Sequence, residues 1–286
     1  MPSYTIQLLD QYSQMSRVET LLDKIWGGGA ADVVPPHLLI TLAHNGGLVF
    51  GAFEGDEMIG VAFGFLGFHE TPQGRILKHC SHQMGVHPDH RGKGIGFALK
   101  KAQWQMVRNQ GIDLMTWTYD PLLSHNAYLN IGQLGAICNT YKREFYGEMV
   151  DSLNAGLASD RFEVEWWLKT RRVDQRLDRE NYLRISLDDY RKADIQQLYI
   201  PETDATSGLL KPPETYAMPE RKLVLMPIPS NFQTMRSAAP PLARDWRFFT
   251  RKVFETAFAA GYIVTDFVHG QGGSYYVLTD GNAKIG

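Results

Sequence analysis

The segment "GVHPDHRGKGIG" (85–96) constrains the chain more than any other. "RILKHCSHQMGV" (75–86) enters it with the character of a strand. "GIGFALKKAQWQMVRNQG" (94–111) leaves it as a helix, with Ile95, Leu99, Ala102 and Met106 on one apolar stripe and Gly111 as its stop. A strand that turns through glycines into a helix directs unpaired N–H groups, and about half a positive charge, at whatever occupies the turn. Glycines let an anion approach that backbone closely. The arrangement predicts a pyrophosphate cradle; the plainer alternative is a glycine-rich turn with solvated Arg91 and Lys93.

The two best-known phosphate loops do not fit. A nucleotide-hydrolase loop needs a hydroxyl residue after its lysine, and Lys93 is followed by Gly94. A dinucleotide fingerprint would have its third glycine one residue beyond Gly96. A metal is not expected either. On a strand, His79 and His82 point to opposite faces. His87 and His90 flank Pro88, which favours a turn over helical ligand spacing.

The flanking sequence supplies a mixed fold. "YTIQLL" (4–9) alternates as a strand, 13–26 reads as an amphipathic helix ended by "GGGA", and 35–47 as a short helix. Strands are predicted at 48–54 and 57–68 around a "GD" turn, then at 112–120, 136–147 and 161–170, with a helix over 124–136. The charge-dense "KTRRVDQRLDREN" (169–181) reads as a solvated helix face or linker. It divides the chain into 1–172 and a C-terminal α+β region, 173–286. In that region 222–229 reads as a strand, 240–261 as a helix, and 262–268 with 275–279 as a hairpin.

Composition narrows the partners. A formal net charge of −2 leaves no excess of basic residues to neutralise phosphates, so no nucleic-acid partner and no membrane surface is expected. No apolar stretch approaches the roughly 18 residues of a membrane span. The opening "MPSYTIQLLD" lacks a charged head before an apolar run, and Cys80 and Cys138 are too few for a disulfide scaffold. A cytoplasmic location is the expectation.

Arg91-x-x-Gly94-x-Gly96, preceded by "GVHP" on a strand, resembles the acetyl-CoA loop of the GNAT acyltransferase superfamily. The order of elements over about residues 1–170 is similar too. The resemblance implies an α/β fold, with a central, mostly antiparallel mixed sheet flanked by helices. It implies that Arg91, Gly92, Lys93, Gly94, Ile95 and Gly96 hold the CoA pyrophosphate. By the same resemblance, Met84, Gly85 and Val86 present backbone to the pantetheine arm, and Ser124 and Asn126 touch CoA. For Ser124 and Asn126 the alternative is simple N-capping.

Acyl transfer to an amine needs a base and donors for the oxyanion, and the departing thiolate needs neutralising. His82 lies where some members carry a histidine, and an ordinary imidazole suits base work near neutral pH. The family's tyrosine acid falls four residues before the glycine that ends the next helix. Here that position is Ile131, and Tyr128 is a displaced substitute. The chain also resembles a bacterial group of longer members, some of which accompany N-acylamino-acid racemases and use succinyl-CoA on amino acids.

The expected activity is therefore N-acyl transfer from acetyl-CoA or succinyl-CoA to a small amine, foremost an amino acid, with a homodimer compatible with it. A non-catalytic acyl-CoA-binding sensor is the rival. A carboxylate acceptor would need cationic anchors, for which Lys142, Arg143 and the helical series Arg244, Arg247 and Arg251 are candidates. The C-terminal region reads either as a degenerate second lobe or as a cap.

Overall fold

The computed structural model describes residues 3–27, 34–147, 156–270 and 273–281. They cluster into two units. The first holds the described residues up to Trp117 together with Trp167–Lys169; the second holds the rest.

The first unit follows the predicted order. β1 (Thr5–Leu8), α1 (Tyr12–Trp26) and α2 (Pro36–His44) precede β2 (Leu48–Glu54), β3 (Glu57–Thr71) and β4 (Gly74–Val86). α3 (Ile95–Asn109) then leads to β5 (Leu114–Tyr119), of which Leu114–Trp117 lie in this unit. β1 to β4 are antiparallel neighbours in sequence order, and β5 joins β4 in parallel. Gly55, at φ +57°, makes the two-residue turn between β2 and β3. α1 and α2 close one face over Met15, Val18, Leu22, Leu39, Val61 and Phe63. α3 packs against the other, where Ile95 and Leu99 lie over Gly60.

In the second unit, α4 (Ser124–Ala127) precedes β6 (Ile137–Lys142) and β7 (Arg161–Trp167). α5 (Arg171–Leu177), α6 (Leu187–Lys192), β8 (Ile195–Gln197), β9 (Glu202–Thr203), β10 (Leu210–Lys211) and β11 (Leu223–Ile228) follow. α7 (Phe232–Ala238), α8 (Pro240–Ala259), β12 (Tyr262–Gly270) and β13 (Gly273–Asp280) complete it. The strands run β7-β6-β12-β13-β11-β8, antiparallel except where β8 meets β11. This sheet joins strands from both sides of residue 172. Its aromatic core gathers Phe162, Phe254, Phe267 and Tyr276, with Phe162 and Phe254 ring centres 4.6 Å apart. The mixed α/β architecture, mostly antiparallel and flanked by helices, is the one expected from the sequence.

Three local expectations are corrected. The helix read over 124–136 is α-helical for four residues and then becomes a π-turn over Tyr128–Gln133, with the Leu134 N–H donating to the Leu129 carbonyl at 2.9 Å. The strand read over 136–147 ends at Lys142 and turns. The charge-dense stretch is not a solvated face. α5 buries Val173, Arg176 and Leu177, because the Arg176 guanidinium pairs with Asp266 at 2.9 Å and also donates to the Gly132 carbonyl.

That pair is nearly sealed from solvent, with side-chain exposures of 6% and 5%, and the Tyr190 hydroxyl donates to the same carboxylate at 2.8 Å. Arg176→Met leaves Asp266 buried beside a single remaining donor side chain. We expect a loss of about 3–5 kcal/mol of stability, read from urea unfolding. A loss under about 1 kcal/mol would mean that the carboxylate gains water or a proton at little cost.

Candidate functional site

β4 and β5 run side by side only briefly. Their parallel register consists of His79↔Met115 and Cys80↔Thr116. Beyond it β4 continues to Val86 against β3 alone, with Val86 opposite Gly60 and Gly85 opposite Val61. The chain has then lost its β5 neighbour just where it approaches the glycine loop. Backbone N–H and C=O groups facing that opening want a partner.

His82 sits at an irregularity in this strand. Gln83 pairs with Phe63 and Ser81 with Gly64, so His82 is the extra residue of a β-bulge. The bulge reverses the alternation. Ser81 faces α3, where its hydroxyl lies 3.0 Å from the Gln103 amide oxygen. Gly85 faces α1, where a Cβ would come within 2.8 Å of Ile25. The His82 ring is exposed, beside Phe63 and Phe65 at 5.6 and 5.7 Å between centres. Partial desolvation lowers its pKa from the ordinary imidazole value. His79 faces the other way, fully buried, and desolvation followed by the charge of Lys100 takes its pKa down to about 3.

After β4, a short 3₁₀ turn over Pro88–His90 leads to the loop. Gly92 and Gly94 adopt φ of +78° and +80°, a left-handed conformation that glycine accepts freely. A Cβ at Gly92 would meet nothing within 4 Å, and one at Gly94 only the Tyr4 hydroxyl at 3.9 Å. Gly94 is the N-cap of α3, and no side chain caps that end. The first N–H groups of α3, at Ile95 and Gly96, therefore have no side-chain cap. The Ile95 side chain is buried in the core, so its backbone is what it offers there.

Arg91 and Lys93 are exposed beside this end. The Arg91 Nε donates to the Val86 carbonyl at 3.3 Å, and the Lys93 ammonium lies 3.4 Å from His90 Nδ1. Met84 and Val86 are half-buried. The arrangement can take up an anion at the helix end and offer strand backbone to an extended chain leading away from it.

Ser124, Asn126 and Tyr128 belong to the second unit. The Ser124 hydroxyl donates to the Ser230 carbonyl at 2.6 Å, and the residue before α4 is Leu123, so Ser124 is not an N-cap. Asn126 is half-buried. Tyr128 opens the π-turn, with its ring 4.9 Å from that of His269.

The anchors expected for a carboxylate acceptor are mostly committed. Lys142 pairs with Glu163 at 3.2 Å, and Arg143 is bidentate to Glu255 at 2.5 and 2.6 Å. Arg251 is bidentate to Asp160 at 2.7 Å for each bond, and fully buried Arg247 pairs with Asp120. α8 is thus no solvated basic face; of its series only Arg244 is exposed. Among the described residues no group of three or more His, Cys, Asp or Glu is placed to hold a metal ion, and no helix is long and apolar enough to cross a membrane.

Sequence reading missed a buried polar group behind β4. The observed inner face of α3 is Ile95, Leu99, Lys100, Gln103 and Val107, rotated from the expected stripe. Lys100 is 2% exposed, donates to Ser81 Oγ at 2.7 Å and stands 3.7 Å from the centre of the Trp117 ring. Desolvation, only partly opposed by Cys80, brings its pKa down to about 7. The sequence signal was there in the spacing Gly96, Lys100, Gln103, Val107, but a lysine and a glutamine do not announce a buried face.

Residues 45–143 match the family model described as an acetyltransferase (GNAT) domain. No protein of curated function matches the chain by sequence. Among solved structures, the chain is similar to the ribosomal-protein-S18-alanine N-acetyltransferase of Escherichia coli, at 13% identity and a TM-score of 0.45, over 58% of this chain and 95% of that one. A GNAT family acetyltransferase from Elizabethkingia anophelis with acetyl-CoA bound gives 15%, 0.42, 58% and 99% for the same measures. The IAA acetyltransferase from Bacillus cereus gives 15%, 0.41, 57% and 99%.

The buried lysine has a signature in pH. An unfolded lysine holds its proton up to about pH 10.4, whereas folded Lys100 releases it near 7. Between those values the unfolded chain binds the extra proton, so this group makes stability rise with pH by at most about 1.4 kcal/mol per unit. Below pH 7 both states are protonated and the contribution is gone. Urea unfolding of wild type and Lys100→Met at pH 7, 8 and 9 should show wild type gaining on the variant. A constant difference would mean that Lys100 stays charged.

Proposed function

From an acetyltransferase (GNAT) domain over residues 45–143, we propose that the chain is an acyl-CoA-dependent N-acyltransferase. It moves an acetyl, or alternatively a succinyl, group from the CoA thioester to the amine of a small molecule, foremost an amino acid. One observation carries the reading. β4 parts from β5 after Cys80, and the strand then runs into an uncapped helix end through two left-handed glycines. An acyl-CoA has the matching shape: a doubly charged pyrophosphate joined to a long arm rich in amide groups.

In this reading the N–H groups of Ile95 and Gly96, with Arg91 and Lys93, hold the pyrophosphate. Gly92 and Gly94 keep side chains out of its way. Met84, Gly85 and Val86 offer backbone groups to the arm and the thioester. The acceptor amine must arrive without its proton. His82 is the candidate to take it, because its ring is exposed at the bulge and its lowered pKa keeps it neutral at pH 7. The amine nitrogen then bonds to the thioester carbon, the C–S bond breaks, and the thiolate departs with the electron pair.

Gly94→Val puts a Cβ into the loop at a left-handed φ, at a cost of about 1–2 kcal/mol in strain. It should abolish measurable CoA binding by calorimetry. Gly111→Val carries comparable strain at φ +78° outside the loop and should leave CoA affinity intact. Equal affinity for the two variants would remove the loop from the binding site.

His82→Ala should lower turnover by about 10²–10⁴-fold with CoA binding retained, and should remove an acidic limb that lies below the ordinary imidazole pKa. The assay is release of free CoA from acetyl-CoA and from succinyl-CoA against amino acids of both hands. Saturable CoA binding without turnover on any amine would favour the sensor reading instead.

A further inference from the structure

The second unit contains a cavity of about 170 Å³ that the acyl-transfer reading does not use. Tyr128, at the start of the π-turn, forms one wall with Phe267 and Val268. The turn needs glycine at 132, since a Cβ there would lie 3.0 Å from the Phe267 carbonyl and 3.3 Å from the Tyr128 ring. π-turns of this kind recur at functional positions.

The charges of the cavity can be assigned one by one. Arg176 at its base is neutralised by Asp266 at 2.9 Å, and Tyr190 donates to that same carboxylate. His269 has Nδ1 2.9 Å from the Ser274 hydroxyl, which itself stands 3.0 Å from the Ser230 hydroxyl. That chain fixes the ring and leaves Nε2 for a ligand. Desolvation and the nearby Arg184 both lower the His269 pKa, so the ring is neutral at pH 7.

Arg184 remains. Its guanidinium lies over Tyr128, 4.7 Å from the ring centre, and no carboxylate among the described residues lies within ion-pair distance. A guanidinium placed over an aromatic ring can still offer its N–H groups to a bidentate partner. The cavity as a whole therefore carries one uncompensated positive charge, one neutral imidazole and a mainly apolar wall.

We propose that this cavity is a binding site for a small monocarboxylate with an apolar or aromatic body. The carboxylate bonds to Arg184, with His269 Nε2 as a second polar contact, and the body packs on Tyr128, Phe267 and Val268. A single cation suits a carboxylate better than a phosphate, which brings a second charge and a third oxygen. The site stands independently of the acyltransferase reading, since binding needs no acyl donor. Such a carboxylate comes from one of two sources: the amine acceptor itself, if it is an amino acid, or a molecule that binds without reacting.

The test is calorimetry on the full chain without CoA, using phenylacetate, L-phenylalanine and the carboxamide of each. Both carboxylates should bind, and each amide should bind about tenfold or more weakly, as expected when a charge-assisted pair is lost. Arg184→Gln should erase the preference for acid over amide. Arg184→Lys, which keeps the charge and loses the fork, should restore part of it. The side chain is exposed, so the fold survives either change.

Acids and amides of equal affinity, an unchanged preference in Arg184→Gln, or no binding of either carboxylate to wild type would each overturn the proposal. Adding acetyl-CoA then separates the sources. N-acetylation of phenylalanine, with a KM that rises in Arg184→Gln for the acid and not for the amide, identifies the acceptor. Binding of both acids with no product from phenylalanine identifies a ligand that does not react. Failure of acyl transfer alone leaves the binding result standing, so the two readings fail separately.

Discussion

Two strands that part company set the terms for the first unit. β4 and β5 share a parallel register at only two residue pairs. Had the pairing continued, the backbone of residues 81–86 would be fully used and no extended ligand could lie against it. Because it stops, β4 continues to Val86 paired with β3, and α3 begins after the glycine loop with no side-chain cap. A strand edge without its neighbour is unfavourable unless something satisfies it. The surrounding layers hold β4 in place: α1 packs on Gly85, α3 grips Ser81 through Lys100 and Gln103, and β3 runs the full length of β4.

The two units bury cations in opposite ways. In the second, Arg176 and Arg247 keep their charge and each faces a carboxylate, Asp266 and Asp120. Arginine has little choice, since it does not deprotonate in proteins. In the first unit Lys100 faces a hydroxyl and an aromatic ring, with no carboxylate among the described residues to balance it, and burial brings its pKa down to about 7. A neutral amine is a tolerable neighbour for Ser81 and Trp117, where a guanidinium would be stranded. The choice of lysine over arginine at position 100 follows from what surrounds it.

The loop was legible because its chemistry is local. Gly92 and Gly94 stand where the backbone turns left-handed, and the helix starts and stops within two residues of its sequence signals. The bulge was not legible. One extra residue at His82 leaves no trace in an alternating pattern, yet it decides which helix layer Ser81 and Gly85 face. Nor were the fates of the arginines. Asp120 is 127 residues from Arg247 and Asp160 is 91 from Arg251, so a helix that looks basic in sequence is already neutralised by partners far along the chain. The π-turn escaped for a related reason. Its sequence reads as an ordinary helix, and the crowding of Gly132 against the Phe267 carbonyl comes from a strand more than a hundred residues later.

The two cysteines differ in a way that matters at the bench. Cys138 is buried, with its thiol within 3.4 Å of the Thr140 and Glu163 carbonyls, and desolvation raises its pKa well above the ordinary thiol value. Such a sulfur does not react with disulfide reagents while the chain is folded. Cys80 is half-buried. A colorimetric assay that titrates liberated CoA with an aromatic disulfide therefore carries a background of at most one equivalent per folded chain. In a blank without acyl donor, a second equivalent would report unfolding that exposes Cys138.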